Sequence, residues 1–243
     1  MKRILKKIVE VIKELSWITK SLFLITLTFL IYLIVSIVSK PILLAYIIIL
    51  LFSLLLHEIS HGFMAYLFGD NTAKESGRLS LNPLRHLDLF GTLFPILMIL
   101  GGASLVFGWA KPVPIDYYKL KRGRVAEFCV AIAGVLSNIL LAMIGILIFK
   151  HCYAYIQNAT LMAIVVYLVR LNLLLAIFNI IPIPPLDGSR VLASLGNSDL
   201  RNNIFYMDKY GLLIILILSW TGVLYNFINP VFSYLINFLD KVL

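Results

Sequence analysis

Six long and almost uncharged apolar runs constrain this chain more than any other feature of its sequence. They are Ser21 to Ser39, Pro41 to Leu56 with a continuation through Gly62 to Gly69, Phe90 to Ala110, Phe128 to Phe149, Ala159 to Ile183 interrupted by Arg170, and Gly211 to Leu239. A bilayer's hydrocarbon core takes about 20 apolar residues of helix to cross. With 61% hydrophobic and 14% charged residues, the composition lies far from that of a soluble domain. The sequence therefore predicts an all-α polytopic membrane protein whose environment is the lipid bilayer. Its 243 residues suffice for one membrane-embedded domain. That domain comprises a basic N-terminal segment and first helix (1–42), a core (43–195) and a C-terminal helix region (196–243).

One run does not read as a simple span. "FGTLFPILMILGGASLVFGWA" carries Pro95, Gly101-Gly102 and Gly108, all poor in a helix interior. Lys and Arg favour the cytoplasmic side of a membrane, so their distribution tests the alternatives. If the run crosses, with the N-terminus inside, 11 basic residues fall inside and 9 outside; if it dips in and returns, the division is 17 to 3. The expected topology is thus about five transmembrane helices plus a re-entrant hairpin near residues 90–110, with a cytoplasmic N-terminus.

The net charge of +9 would suit a phosphate-rich partner, but in so apolar a chain basic residues anchor loops against anionic lipid. No nucleic-acid partner is expected. The basic start, "MKRILKKIVEVIKELSWITK", resembles a signal n-region, yet no small-residue cleavage site follows, and it is read as lying on the inner membrane surface. Cys129 and Cys152 have no metal-ligand or disulfide spacing and are read as packing residues.

Within the second run, "LLLHEISHGF" places His57, Glu58 and His61 in apolar surroundings. On a helix the two histidines share a face one turn apart and can hold one metal ion, and Glu58 can reach a water bound to that ion. The competing reading is a buried polar cluster that ties helices together, but ionisable groups inside a membrane are costly and usually functional. A catalytic zinc site needs a third protein ligand and an open position. Residue 67 is Leu, not a third histidine, and the later glutamates, Glu75 and Glu127, lie in no suitable pattern. Asp187 in "NIIPIPPLDGSR" remains: Pro182, Pro184 and Pro185 exclude a regular helix before it, so its carboxylate can turn toward a metal. Alternatively Asp187 caps the next helix.

These segments resemble the site-2 proteases, intramembrane zinc metalloproteases of peptidase family M50. "HEISH" matches their zinc and base motif, "NIIPIPPLDG" their N-x-x-P-x-P-x-x-D-G segment, and "GVLSN" their G-P-x-x-N segment with Val135 in place of proline. "LNPLRHLDLFGT" and "FGWAKPVPID" are similar to the short, single-domain branch without PDZ or CBS domains. The resemblance spans roughly residues 43–195. It implies His57, His61 and Asp187 as Zn2+ ligands, Glu58 as general base, and Asn138 and Asn179 as substrate-binding residues beside the substrate backbone. It further implies a transmembrane protein as substrate. Rival readings are a metal-ion transporter or channel and an inactive membrane scaffold; the chain has no paired halves and no further row of acids, and its ligands and base are intact. Asn82, Arg85, His86 and Asp88 are expected in solvated loops, with "RHLD" near the membrane surface.

Overall fold

The computed structural model describes residues 39–86, 111–152 and 158–242, with Tyr155 and isolated positions between residues 17 and 35. No strand occurs among them. The chain divides into two compact units, residues 1–44 and 45–243. Helix α1 is Pro41–Leu67, α2 Thr72–Glu75, α3 Gly123–Cys152, α4 Ala159–Asn179, α5 Asp187–Leu195, α6 Ser198–Trp220 and α7 Val223–Val242. Four of these, α1, α3, α4 and α6, are long and apolar enough to cross a membrane, and α7 adds a shorter apolar stretch, Val223–Leu239. The polytopic, all-helical reading of the sequence therefore holds. The first apolar run and the run at 90–110 lie outside the described residues or touch them only at isolated positions.

The second run and its continuation form one unbroken 27-residue helix, Pro41–Leu67, so the ionisable motif rides inside a span on the helix expected for it. One run behaves differently from the sequence reading. The run Gly211 to Leu239 is two helices, because the chain turns at Gly222, whose φ of +76° is a conformation that costs glycine little. The first of the two, α6, begins well before the apolar run. Asn197 caps it by accepting from the Leu200 N–H at 2.9 Å, and its opening turns carry Asp199, Arg201, Asp208 and Lys209.

In α1, α3 and α4 only 33% of the apolar window is buried within the protein, which leaves the larger part of each surface for lipid. Apolar burial gives no net drive between helices in a bilayer, so close packing must hold them. Small buried residues on α3, among them Ala131, Ala133 and Ala142, permit that approach. Leu50 and Leu54 of α1 pack with Leu171 and Leu175 of α4. In the same layer Asn172 donates to the Ser53 hydroxyl at 3.0 Å, both side chains being fully buried. Ile177, Ile181 and Leu186 join Ile215 of α6 with Leu224 and Ile228 of α7.

Between α2 and α3 the chain forms a non-helical strap, residues 111–120, across the C-terminal end of α1. The Lys111 N–H donates to the His86 carbonyl at 2.8 Å, the Asp116 N–H to the Asp70 carboxylate at 2.7 Å, and the Lys121 N–H to the Phe68 carbonyl at 2.8 Å. His86 and Lys111 thus join the two ends that flank residues 87–110; the hairpin expected there lies outside the described residues.

Candidate metal centre

His57 and His61 lie on consecutive turns of α1 and are both buried. Asp187 arrives from 126 residues later in sequence, as the first residue of α5. The proline-rich link before it carries a cis Pro184-Pro185 bond. The N-cap position belongs to Leu186 and not to Asp187, whose carboxylate faces the histidines instead. Asp187 Oδ2 lies 3.2 Å from His57 Nε2 and 3.3 Å from His61 Nε2, and the two Nε2 atoms are 3.2 Å apart. The three ligand atoms form a nearly equilateral triangle.

The chemistry of this triangle follows from one hydrogen bond. His61 Nδ1 lies 2.7 Å from the Val130 carbonyl, which can only accept, so Nδ1 carries the proton and Nε2 presents a lone pair to the triangle. Asp187 Oδ2 is buried without a hydrogen-bond donor. His57 Nε2 completes the group, and three ligand atoms gathered in a buried place fit a cation between them. A tetrahedral zinc ion at about 2.0–2.1 Å from each ligand would hold them roughly 3.3–3.4 Å apart, close to the spacing found. His57, His61 and Asp187 are the one such group among the described residues.

The surroundings keep this arrangement in place. A Cβ on Gly134 of α3 would lie 2.3 Å from His61 Nε2 and 2.5 Å from His57 Cε1, so only glycine lets α3 pass directly behind the pair. Glu58 is half-buried, and its Oε2 accepts from the Val113 N–H of the strap at 3.1 Å.

The other residues singled out in the sequence are placed as follows. Asn138 is wholly buried one turn beyond Gly134, and neither of its amide atoms has a partner among the described residues. Asn179 ends α4, half-buried, with Nδ2 donating to the Leu175 carbonyl at 3.0 Å. Asn82 caps a short 3-10 turn at Pro83–Arg85, and Arg85 donates to the Gly77 carbonyl. His86 is buried outside the triangle, its Nε2–H donating to the Ser80 carbonyl at 3.0 Å, and burial holds its pKa below the ordinary value. Arg170 is exposed on α4, and Asp88 lies outside the described residues.

Sequence reasoning missed Asp70. This carboxylate is fully buried after α1 and accepts from the Thr72 N–H at 2.9 Å, the Thr72 hydroxyl and the Asp116 N–H. Burial alone would raise its pKa, but those donors, with Lys119 nearby, hold it below the usual carboxylate range. The Gly-Asp-x-Thr order after a helix was the available signal, since Asp and Thr two residues apart commonly close a turn. Sequence reasoning also missed Glu127, which receives a bidentate pair of bonds from Arg201, Nη2 at 2.7 Å and Nε at 3.1 Å. Arg190 of α5 pairs with Asp208 of α6 through a single Nη2–Oδ2 contact.

Known proteins share this architecture in sequence. "Peptidase family M50" matches residues 45–160 and 146–219. "Putative zinc metalloprotease YwhC" of Bacillus subtilis is 39% identical over 196 residues, covering 78% of this chain and 83% of that protein. "Putative zinc metalloprotease Rip2" of Mycolicibacterium smegmatis is 29% identical over 175 residues, 72% of this chain and 66% of that protein. Rip2 of Mycobacterium tuberculosis is 32% identical over 170 residues, 69% and 63% of the two chains. No solved structure matches. Since the matched stretches run from α1 through α6 and so contain all three corners of the triangle, the chain belongs to peptidase family M50, the site-2 protease family.

Proposed function

We propose that this zinc metalloprotease hydrolyses peptide bonds within transmembrane segments of membrane-protein substrates, with Glu58 as its general base. The observation that carries the reading is the triangle that His57 and His61 of a membrane-spanning helix make with Asp187, with the Glu58 carboxylate beside it in sequence. Zinc held by His57, His61 and Asp187 would supply Lewis acidity toward water and a peptide carbonyl. The Val130 carbonyl fixes the His61 ring so that Nε2 remains a ligand. Glu58 takes a proton from the attacking water and returns it to the leaving amine, using Oε1 while Oε2 stays on Val113.

A helical substrate hides its carbonyls in its own hydrogen bonds and must unwind to be cut. Asn179 and Asn138 are the proposed partners of its freed backbone. Asn179 is half-buried at the end of α4, eight residues before Asp187; Asn138 acts only where the bundle parts around the chain. A transporter would need a succession of ion sites, and among the described residues there is one group of ligands.

Glu58→Gln should retain about one zinc per chain and lose hydrolysis by several orders of magnitude, because an amide cannot accept the proton. Cleavage near the wild-type rate would overturn the mechanism. The proposed orientation places the N-terminus and the strap in the cytoplasm. Cysteines at Ser76 and Tyr118, with Cys129 and Cys152 replaced, should then react only from that side, and reaction from outside would reverse it.

A further inference from the structure

The geometry points to the strap as a positioning element for Glu58, acting through the Val113 N–H and seated by Gly62. This inference rests on Glu58 being the base. Between Lys111 and Ile115 the sequence is Pro-Val-Pro, so residues 112–114 possess a single backbone donor, that of Val113. That donor faces Glu58 Oε2 at 3.1 Å. Among the described residues no other donor reaches the carboxylate, so among them the strap is what orients the carboxyl group.

Two independent features hold the strap at the required distance. The first is the residue after His61. A Cβ on Gly62 would lie 2.7 Å from Val113 Cγ1, 3.0 Å from Leu79 Cδ2 and 3.1 Å from Ala73 Cβ. Val113 is itself buried, its side chain filling the space that a side chain at 62 would occupy. The second is a pair of backbone anchors on either side. Lys111 is tied to the His86 carbonyl and Asp116 to the Asp70 carboxylate, neither of which touches the triangle. The seat at Gly62 and the anchors at His86 and Asp70 belong to different segments, yet all bring the same N–H to the same carboxylate oxygen. A mobile glutamate would reach the water in many poses; one tethered oxygen leaves Oε1 in a single arc. Displacement of a catalytic group by about 1 Å costs roughly 100-fold in rate.

The test uses full-length protein in detergent and fluorescently labelled casein, whose unfolded chain needs no unwinding and so reports the chemical step. Val113→Pro removes the donor, and Val113→Ala keeps it. Val113→Pro should lower kcat about 10- to 100-fold with KM within about twofold and zinc content unchanged, whereas Val113→Ala, which keeps the N–H but trims the seat, should lose at least about fivefold less kcat than Val113→Pro. Should Val113→Pro not fold, Gly62→Ala pushes the strap outward instead. It should lose kcat similarly, and Gly62→Ala with Val113→Ala should recover most of it, since the second change removes the methyl group that the first one meets. A readout without catalysis is amide exchange: in Glu58→Ala the Val113 amide should exchange at least about tenfold faster than in wild type.

Unchanged exchange at Val113 in Glu58→Ala, or a wild-type kcat in both Val113→Pro and Gly62→Ala, would overturn the inference. So would loss of zinc in parallel with kcat, which marks the strap as a merely structural support. If Glu58→Gln is inert and Val113→Pro is fully active, positioning fails while the proposed function stands. If Glu58→Gln itself cleaves, the function fails first.

Discussion

Two clusters of buried and half-buried ionisable groups share helices in this protein, and their charges are balanced in opposite ways. Where α3, α5 and α6 meet, Glu127 is matched by Arg201 and Asp208 by Arg190, with both guanidinium groups over the Phe205 ring at 5.0 and 4.1 Å. Every acid there has a cation of its own. At the triangle, Asp187 and two imidazoles converge with no lysine or arginine among them. The first cluster balances its charges with arginines of the chain and ties α5 to its neighbours; the second offers three ligand atoms at the spacing a metal ion needs. Asp187 and Arg190 lie one turn apart on α5, so the same short helix is anchored by one cluster and offers a ligand to the other.

The largest effect separating them is expected at Gly134. Gly134→Ala places a methyl group 2.3 Å from His61 Nε2, so zinc affinity and hydrolysis should both fall by more than about 100-fold while helix content by circular dichroism persists. Retention of zinc would mean that α3 can move aside. Next in size is Glu127→Gln. It strands the half-buried Arg201 charge and should cost about 1–3 kcal/mol of stability, read as a lower melting temperature, with zinc still bound at one per chain. Loss of zinc in that variant would show that the clusters are not separable.

The smallest effect concerns Asp70 and pH. Its carboxyl pKa lies below the ordinary 3.8, so the stability it contributes is fully present above about pH 5 and disappears as pH falls through the lowered value. The melting-temperature gap between wild type and Asp70→Asn should be constant near neutrality and close below about pH 4. A gap that widened on acidification would contradict the hydrogen-bond pattern around Asp70.

Much of this was legible in the sequence because membrane spans and metal motifs are written in side chains. The apolar runs gave the spanning helices, and the i, i+4 spacing of His57 and His61 gave their shared face. Asp187 could be reached by eliminating the other acids, and the structure places it at the third corner. The least legible features are made by the backbone. The Val130 carbonyl that sets the His61 tautomer and the Val113 N–H on Glu58 would be identical with other side chains at those positions. Gly134 and Gly62 matter for the atoms they lack, which becomes visible only when two segments are brought together. The division of the C-terminal run was written more plainly, in a lone glycine after Thr221 that hydropathy averages away.

The central claim is that the three ligand atoms of His57, His61 and Asp187 form a zinc site, and metal content of Asp187→Asn tests it most directly. Wild type and variant would be purified side by side in detergent and their zinc per chain measured by mass spectrometry after dialysis against a weak chelator. The account predicts about one zinc in wild type and little in Asp187→Asn, since a neutral amide oxygen replaces the carboxylate at one corner of the triangle. An Asp187→Asn protein that kept its zinc as tightly as wild type would contradict it.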